Sequence, residues 1–141
     1  MFKKTGELDF ELENYQSIHS FIEVNASEFD DKRFYNLLNV LISESGKSKI
    51  KIATDSCISE PYLHNLIRGE KRPTRNMVIK LSFGLNLTLE ATERLLMLAG
   101  YSGFYVRRKR DALLKFSFQS NLTISEADSL LSEYGFSVMT E

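Results

Sequence analysis

Apolar residues recur at helical spacing along most of this chain, and polar caps and glycines separate the runs. The strongest run predicts a helix from about Asp31 to Ser45 that ends at Gly46. Ser17 can cap an earlier helix through about Asn25, because its hydroxyl accepts a bond from an otherwise unpaired amide. The stripe of the stronger helix is formed by Phe34, Leu37, Leu38, Leu41 and Ile42. These patterns predict an all-α protein.

The first 14 residues have no clear helical period. Phe2, Leu8, Phe10 and Leu12 alternate with polar residues over a short run. An alternation of this kind is typical of extended backbone with one apolar side. It predicts an extended arm or a single edge strand here.

Residues 49–69, KIKIATDSCISEPYLHNLIRG, have the pattern of two short helices joined by a tight turn around Cys57. Ser59 is placed to cap the second helix. Pro61 falls in its first turn, where the missing N–H costs nothing. Gly69 can supply the left-handed residue that ends it. Two helices with these signals in this order predict a helix-turn-helix.

Caps and stops predict four more helices after this motif. We expect Gly84 to end the first of them and Gly135 to end the last. The four run from Arg75 to about Phe83, from Thr88 to Gly100, from the basic segment at 107–110 through about Gln119, and from Ile124 to Tyr134.

These four helices belong to two similar segments. Residues 72–102 align without a gap on residues 107–137 at a shift of 35, with twelve of 31 positions identical and the caps in register. The pattern favours a duplicated helical hairpin, and the period is that of helical repeat proteins, in which each hairpin packs on its neighbour. Convergence of two helix-loop-helix units on the same caps is the alternative.

The net charge of −1 conceals an uneven distribution. Residues 1–31 carry two basic residues against eight acidic ones, and residues 32–80 carry ten against four. The positive charge therefore lies on the segment with the helix-turn-helix, as phosphate binding requires, although a solvated helical surface can show the same excess.

Composition limits the function further. With one cysteine and two histidines, the chain cannot assemble a zinc ligand set, and a lone cysteine fits a reducing cytoplasm. There is no run of about 18 apolar residues to span a membrane and no secretory signal. The sequence lacks a P-loop, a nucleophile elbow and a paired-carboxylate motif, so we expect no enzymatic activity and no cofactor.

The span from about Phe34 to Leu98 resembles the Cro/C1-type (XRE) helix-turn-helix family of phage repressors and bacterial regulators. The resemblance implies a lambda-repressor-like domain of five helices, preceded by an acidic arm and helix and followed by a helical hairpin. The implied domains are 1–31, 32–102 and 103–141. The residues that carry it are Ile52, Ala53, Ile58, Ser59, Leu63, Leu66 and Gly69, then the KRPT loop, Val78 and Leu81.

In this family the second helix of the motif lies in the DNA major groove. Carried over by position, Asn65 can pair with an adenine and Glu60 can accept from a cytosine. Residues at the flanks are implied to contact phosphates, and a second basic segment is a candidate for further phosphate contacts. The implied DNA-binding residues are Lys49, Ser59, Glu60, Pro61, His64, Asn65, Arg68, Lys71, Arg72 and Arg75, and the second segment is Arg107, Arg108, Lys109 and Arg110.

The sequence also departs from the family pattern. Cys57 stands where a glycine is usual, and Glu60 and Pro61 occupy two positions that usually carry hydrogen-bond donors. We therefore carry two hypotheses. The first is a cytoplasmic, dimeric regulator of transcription that binds double-stranded DNA, with the C-terminal hairpin as a dimerisation or partner surface. The second is a protein-binding adaptor or antitoxin-like module on the same scaffold.

Overall fold

The computed structural model describes residues 2–140, and every regular element in that range is helical. Nine α-helices and one short 3-10 helix, Ala26–Glu28, were found over these residues. The α-helices are α1 (Thr5–Asn14), α2 (Ile18–Val24), α3 (Asp30–Ser45), α4 (Lys49–Ser56), α5 (Glu60–Ile67), α6 (Arg75–Gly84), α7 (Leu89–Leu98), α8 (Lys109–Gln119) and α9 (Ile124–Glu133). The prediction of an all-α protein is confirmed.

The prediction of an extended arm or strand for the first residues is wrong, because residues 5–14 form α1. None of its residues is buried, so the alternation of apolar residues does not reflect a buried face. Lys3, which precedes α1, links this helix to the residue after α2. Its ammonium group donates to Glu11 of α1 and to Asn25. A long-range polar contact of this kind leaves no periodic signal in a sequence.

The predicted caps, and four of the glycines predicted to end helices, are confirmed. The side chains of Ser17, Ser59, Thr74, Thr88 and Thr123 each accept a bond from a backbone N–H in the first turn of the helix that follows. Backbone φ is positive at Gly46, Gly69, Gly100 and Gly135, which end their helices as expected.

Gly84 has a different role from the predicted one. It is the last residue of α6, and the left-handed residue that ends this helix is Asn86, with φ 54°. A Cβ atom on Gly84 would lie 1.7 Å from the Ser56 Oγ and 2.9 Å from the Ser56 backbone nitrogen. Gly84 is therefore required for the close crossing of α4 over α6. Residues of both helices belong to the same core cluster.

The two similar segments have matching geometry. The hydroxyl of Ser82 donates to the carbonyl of Val78 at 2.8 Å, and Ser117 donates to Leu113 at 2.8 Å. Asn86 and Asn121 both have φ 54°. The match also extends past residues 102 and 137. The Glu93 carboxylate accepts from the Phe104 N–H at 3.0 Å, and the Asp128 carboxylate accepts from the Met139 N–H at 2.8 Å.

The two hairpins contact each other reciprocally. Arg75 binds Asp111, and its equivalent Arg110 binds Asn76, which is the equivalent of Asp111. Phe83 stacks on its own equivalent, Phe118, with ring centroids 4.2 Å apart. In an open stack of repeats, equivalent residues would instead contact successive neighbours in one direction. Reciprocal contacts indicate a closed pair with approximate two-fold symmetry.

Candidate nucleic-acid interface

The turn between α4 and α5 is built around Cys57, which adopts the left-handed conformation with φ 56° and ψ 42°. The N–H of Cys57 donates to Thr54 at 3.1 Å, and the N–H of Ile58 donates to Ala53 at 3.0 Å. A cysteine thus fills a position that favours glycine, and the turn forms nonetheless. The cysteine is exposed.

Helix α5 is positioned by its cap and by its buried face. The Ser59 Oγ accepts from the Tyr62 N–H at 3.2 Å, and Pro61 occupies the first turn. Leu63 and Leu66 are completely buried, and they fix the opposite face of the helix toward solvent. Ser59, Glu60 and Pro61 are exposed on that face, at the N-terminal end of the helix.

Polar side chains along α5 bind one another. The His64 Nε2 lies 3.4 Å from the Glu60 carboxylate, one helical turn away. Arg68 donates to the side-chain oxygen of Asn65 at 2.7 Å and forms an ion pair with Glu70 at 3.2 Å. Pairing of Asn65 with an adenine uses both its oxygen and its amide nitrogen. The Arg68 contact must therefore open before Asn65 can bind a base in that way.

Three cations flank α5 without an ion partner in the range 2–140. Lys49 is the first residue of α4, and Lys71 and Arg72 lie in the loop after α5; all three are exposed. The loop is anchored by Tyr35, whose hydroxyl donates to the Lys71 carbonyl at 3.1 Å. An anchored loop holds Lys71 and Arg72 at the C-terminal end of α5 at a lower cost in chain entropy than a mobile one.

Arg75 does not belong with these cations. Its guanidinium donates to the Asp111 carboxylate at 3.0 and 3.3 Å and to the carbonyls of Ser102 and Gly103 at 3.3 and 2.9 Å. It also lies over the Phe104 ring. All three of its nitrogens are engaged within the protein, so we reassign Arg75 from phosphate contact to the junction of the two hairpins. The sequence showed it only as one more basic residue of the loop.

The second basic segment divides in the same way. Arg107, Arg108 and Lys109 are exposed, whereas Arg110 is half-buried and donates to the Asn76 side chain at 2.8 Å. Burial lowers the pKa of the Arg110 guanidinium, and the nearby charge of Arg75 adds to the shift. The contacts of Arg75 and Arg110 join the starts of α6 and α8. Both basic segments therefore lie at the same end of the hairpin pair.

Sequence reasoning missed an ion-pair cluster on α4. The Asp55 carboxylate binds Lys47 at 2.9 Å and Lys51 at 3.0 Å, and Lys47 also donates to the carbonyl of Gly84 at 2.8 Å. The hydrogen bond from Lys47, followed by that from Lys51, holds the pKa of Asp55 below its usual value. Two of the cations counted in the basic segment thus share one carboxylate, and the cluster keeps a net charge of +1. Only the i, i+4 spacing of Lys51 and Asp55 could have indicated this.

The first residues of the acidic arm pack on α3 and α7. Phe2 packs under the guanidinium of Arg33 in α3, with 5.1 Å from the guanidinium carbon to the ring centroid. Thr5 faces Arg94 and Met97 of α7 across a surface cleft. These contacts place residues 2–5 against α3 and α7, whereas Asp30 and Asp31, the last two acids of the arm, share a surface cleft with Arg72.

Two other kinds of site were sought. Within residues 2–140, no group of three or more histidine, cysteine, aspartate or glutamate side chains is placed to hold a metal ion. None of the helices formed by those residues has the length and apolar character needed to cross a bilayer.

A comparison of the chain with protein-family models, with curated proteins and with solved structures gave no match.

Proposed function

We propose that this protein is a DNA-binding regulator of transcription that lays α5 in the major groove. Helices α3–α7 would form a lambda-repressor-like domain, as the resemblance to the Cro/C1-type family implies. The observation that carries the proposal is the exposed N-terminal end of α5, together with three exposed cations outside that helix: Lys49 at the start of α4, and Lys71 and Arg72 in the loop after α5. Cations that precede and follow an exposed helix along the chain suit the phosphate backbones that border a groove.

Binding would divide the work between two sets of residues. The flanking cations would supply affinity and register through phosphates, and they carry no sequence information themselves. Base discrimination would come from Ser59, His64 and Asn65 on α5. Glu60 can accept only from a donor such as the cytosine amino group, and Pro61 can contribute only apolar contact. The site is therefore expected to have moderate sequence specificity.

Selection of bound duplexes from a randomised pool at two salt concentrations tests the proposal. We expect an enriched motif with dyad symmetry, because one helix covers only about half a turn of DNA and a two-fold dimer doubles the site. Retention without an enriched motif would mean phosphate contacts alone. A complete lack of retention at low salt would exclude DNA as the partner.

A charge-matched pair of variants tests the site itself. Replacement of Lys49, Lys71 and Arg72 by alanine should weaken DNA binding at least tenfold. It should also reduce the slope of log K against log salt concentration by about 0.9 for each lost phosphate contact. The control replaces Lys4, Lys32 and Arg94, three exposed cations on the side of the acidic arm. Because this control removes the same net charge, equal losses in the two variants would show that binding depends on overall charge and not on this surface.

The protein-binding adaptor is a second candidate, favoured by the acidic and donor-poor start of α5. Under this function the alanine triple variant would keep its activity in vivo, whereas Glu60→Lys would lose it. Under the DNA-binding function the alanine triple variant would instead lose its activity, because Lys49, Lys71 and Arg72 supply the phosphate contacts. A reporter assay of both variants separates the two functions.

A further inference from the structure

The duplicated hairpins differ in what covers them. On α6, Val78 and Leu81 are completely buried in the same cluster as Ile52 and Ala53 of α4. The equivalent residues on α8 are Leu113, which is half-buried, and Phe116, which is 53% exposed. The position that α4 covers at Leu81 is thus open at Phe116, beside Leu113, which packs on the core only in part. Lys109 and Ala112 share this face, because residues three, four and seven apart lie on one side of a helix.

A second open apolar surface lies on the arm. Phe10 of α1 is 67% exposed, and Ile18 and Ile22, one turn apart on α2, are 53% and 47% exposed. Leu12 and Val24 are exposed on other sides of their helices, because each lies two residues from Phe10 or Ile22. Exposed apolar patches of this kind on a small protein indicate a contact with another molecule.

The charges around the two surfaces are opposite. Residues 1–31 carry a net charge of −6, from two basic and eight acidic residues. The face of α8 begins beside Arg107, Arg108 and Lys109, for which the described residues provide no ion partner. Contact between two α8 faces would bring the cations of the two copies together. Contact between two arms would bring their acidic residues together. Only the contact of an arm with an α8 face brings opposite charges together, and like charges across an interface select against a wrong pairing.

We propose that two copies of this chain form a dimer with two reciprocal contacts. In each contact, the α1–α2 surface of one copy packs on the α8 face of the other. A single contact between two short helical surfaces is small, whereas two reciprocal contacts double the buried area toward the roughly 1,000 Å² that a specific interface requires. Reciprocal contacts also close the assembly as a two-fold dimer. The proposal does not depend on DNA binding.

Sedimentation velocity of the full chain at about 1–200 µM and at two salt concentrations is the first test. We expect a reversible dimer that weakens as salt is raised. Phe116→Asp and Ile22→Asp should each raise the dissociation constant at least tenfold. Ile50→Asp, at a residue that is 61% exposed on α4 and outside both surfaces, should leave it unchanged. A monomer throughout this range, or an equal effect of all three substitutions, would overturn the proposal.

Mixing the two defective variants tests the pairing of arm and α8 directly. The Phe116→Asp copy keeps an intact arm, and the Ile22→Asp copy keeps an intact α8 face, so a mixed pair retains one of the two contacts. The mixture should therefore dimerise at least threefold more tightly than either variant alone. No gain on mixing would overturn the proposal and indicate that each surface contacts its own equivalent. Circular dichroism of each variant before mixing confirms that both samples are folded.

Discussion

The two hairpins show how one sequence pattern serves two environments. The α6–α7 hairpin lies under α4, and its apolar stripe is part of the core. The α8–α9 hairpin shares the threonine cap of its second helix and the left-handed asparagine of its turn, yet Phe116, the equivalent of Leu81, is 53% exposed. The shared cap and turn therefore form the hairpin, and the covering helix decides how much each side chain contributes to stability. Substitutions at equivalent positions should separate the two contributions.

The largest difference is expected between Leu81 and Phe116. Leu81→Ala should lower the free energy of unfolding by about 3 kcal/mol, because a fully buried leucine leaves a cavity under α4. Phe116→Ala should cost less than about 1 kcal/mol at low protein concentration, because much of the ring is already in water. Urea denaturation followed by circular dichroism measures both values. Equal losses would show that α4 adds nothing to its hairpin.

Gly84 and Gln119 form the next pair. Gly84→Ala should destabilise the protein by about 2–3 kcal/mol, because the new methyl group would collide with the Ser56 side chain and backbone. Gln119→Ala, at the equivalent exposed position, should change the stability by less than about 0.5 kcal/mol. The melting temperatures of the two variants provide the comparison. A tolerated Gly84→Ala would mean that α4 can move away from α6 at little cost.

Arg75 and Arg110 test the junction between the hairpins. Arg75→Ala should cost about 2 kcal/mol, because it leaves the buried Asp111 carboxylate without its charged partner. Arg110→Ala removes one contact with a neutral asparagine and should cost less than about 1 kcal/mol. Denaturation of the double variant Arg75→Ala/Asp111→Asn is the control. If it is no more stable than Arg75→Ala, the loss does not come from the unpaired carboxylate.

The smallest effect is expected at Asp55. This residue links α4 to the first hairpin through Lys47, which also donates to the carbonyl of Gly84. Because the pKa of this carboxyl is lowered in the folded protein, its contribution is present above the unfolded pKa and is lost as the pH falls through the folded value. Asp55→Asn should thus lower stability by about 0.5–1 kcal/mol at pH 7. In a series of melts, the difference between the two proteins should close only as the pH falls below the ordinary aspartate pKa and through the lowered folded pKa. A difference that persists in acid would assign the loss to something other than the ion pairs.

Local signals explain how much of this fold can be predicted from the sequence. The caps at Ser59, Thr74 and Thr123 act within one helical turn, so their residues are adjacent in the chain and visible in it. The helix at residues 5–14 was missed, because contacts of Lys3 with distant residues hold it in place.

The candidate site was predictable only in outline. The position and exposure of the start of α5 follow from its cap and its apolar stripe, and the structure has both. The role of Arg75 could not be predicted, because its partner Asp111 lies 36 residues further along. In the same way, the role of Gly84 depends on a helix that ends at Ser56. Contacts between distant segments decide which basic residues remain free, and a single sequence does not specify them.

The exposed turn at Cys57 has a practical consequence for spectroscopy. It is the one cysteine of the chain, and it lies between α4 and α5 with its side chain outside the core. A thiol-reactive fluorophore or spin label would therefore attach at a single, known position without mutagenesis. Its signal would change when a partner covers the turn and would stay constant when one binds the arm or α8. A label at Cys57 would thus distinguish binding at the α4–α5 turn from binding at the arm or at α8.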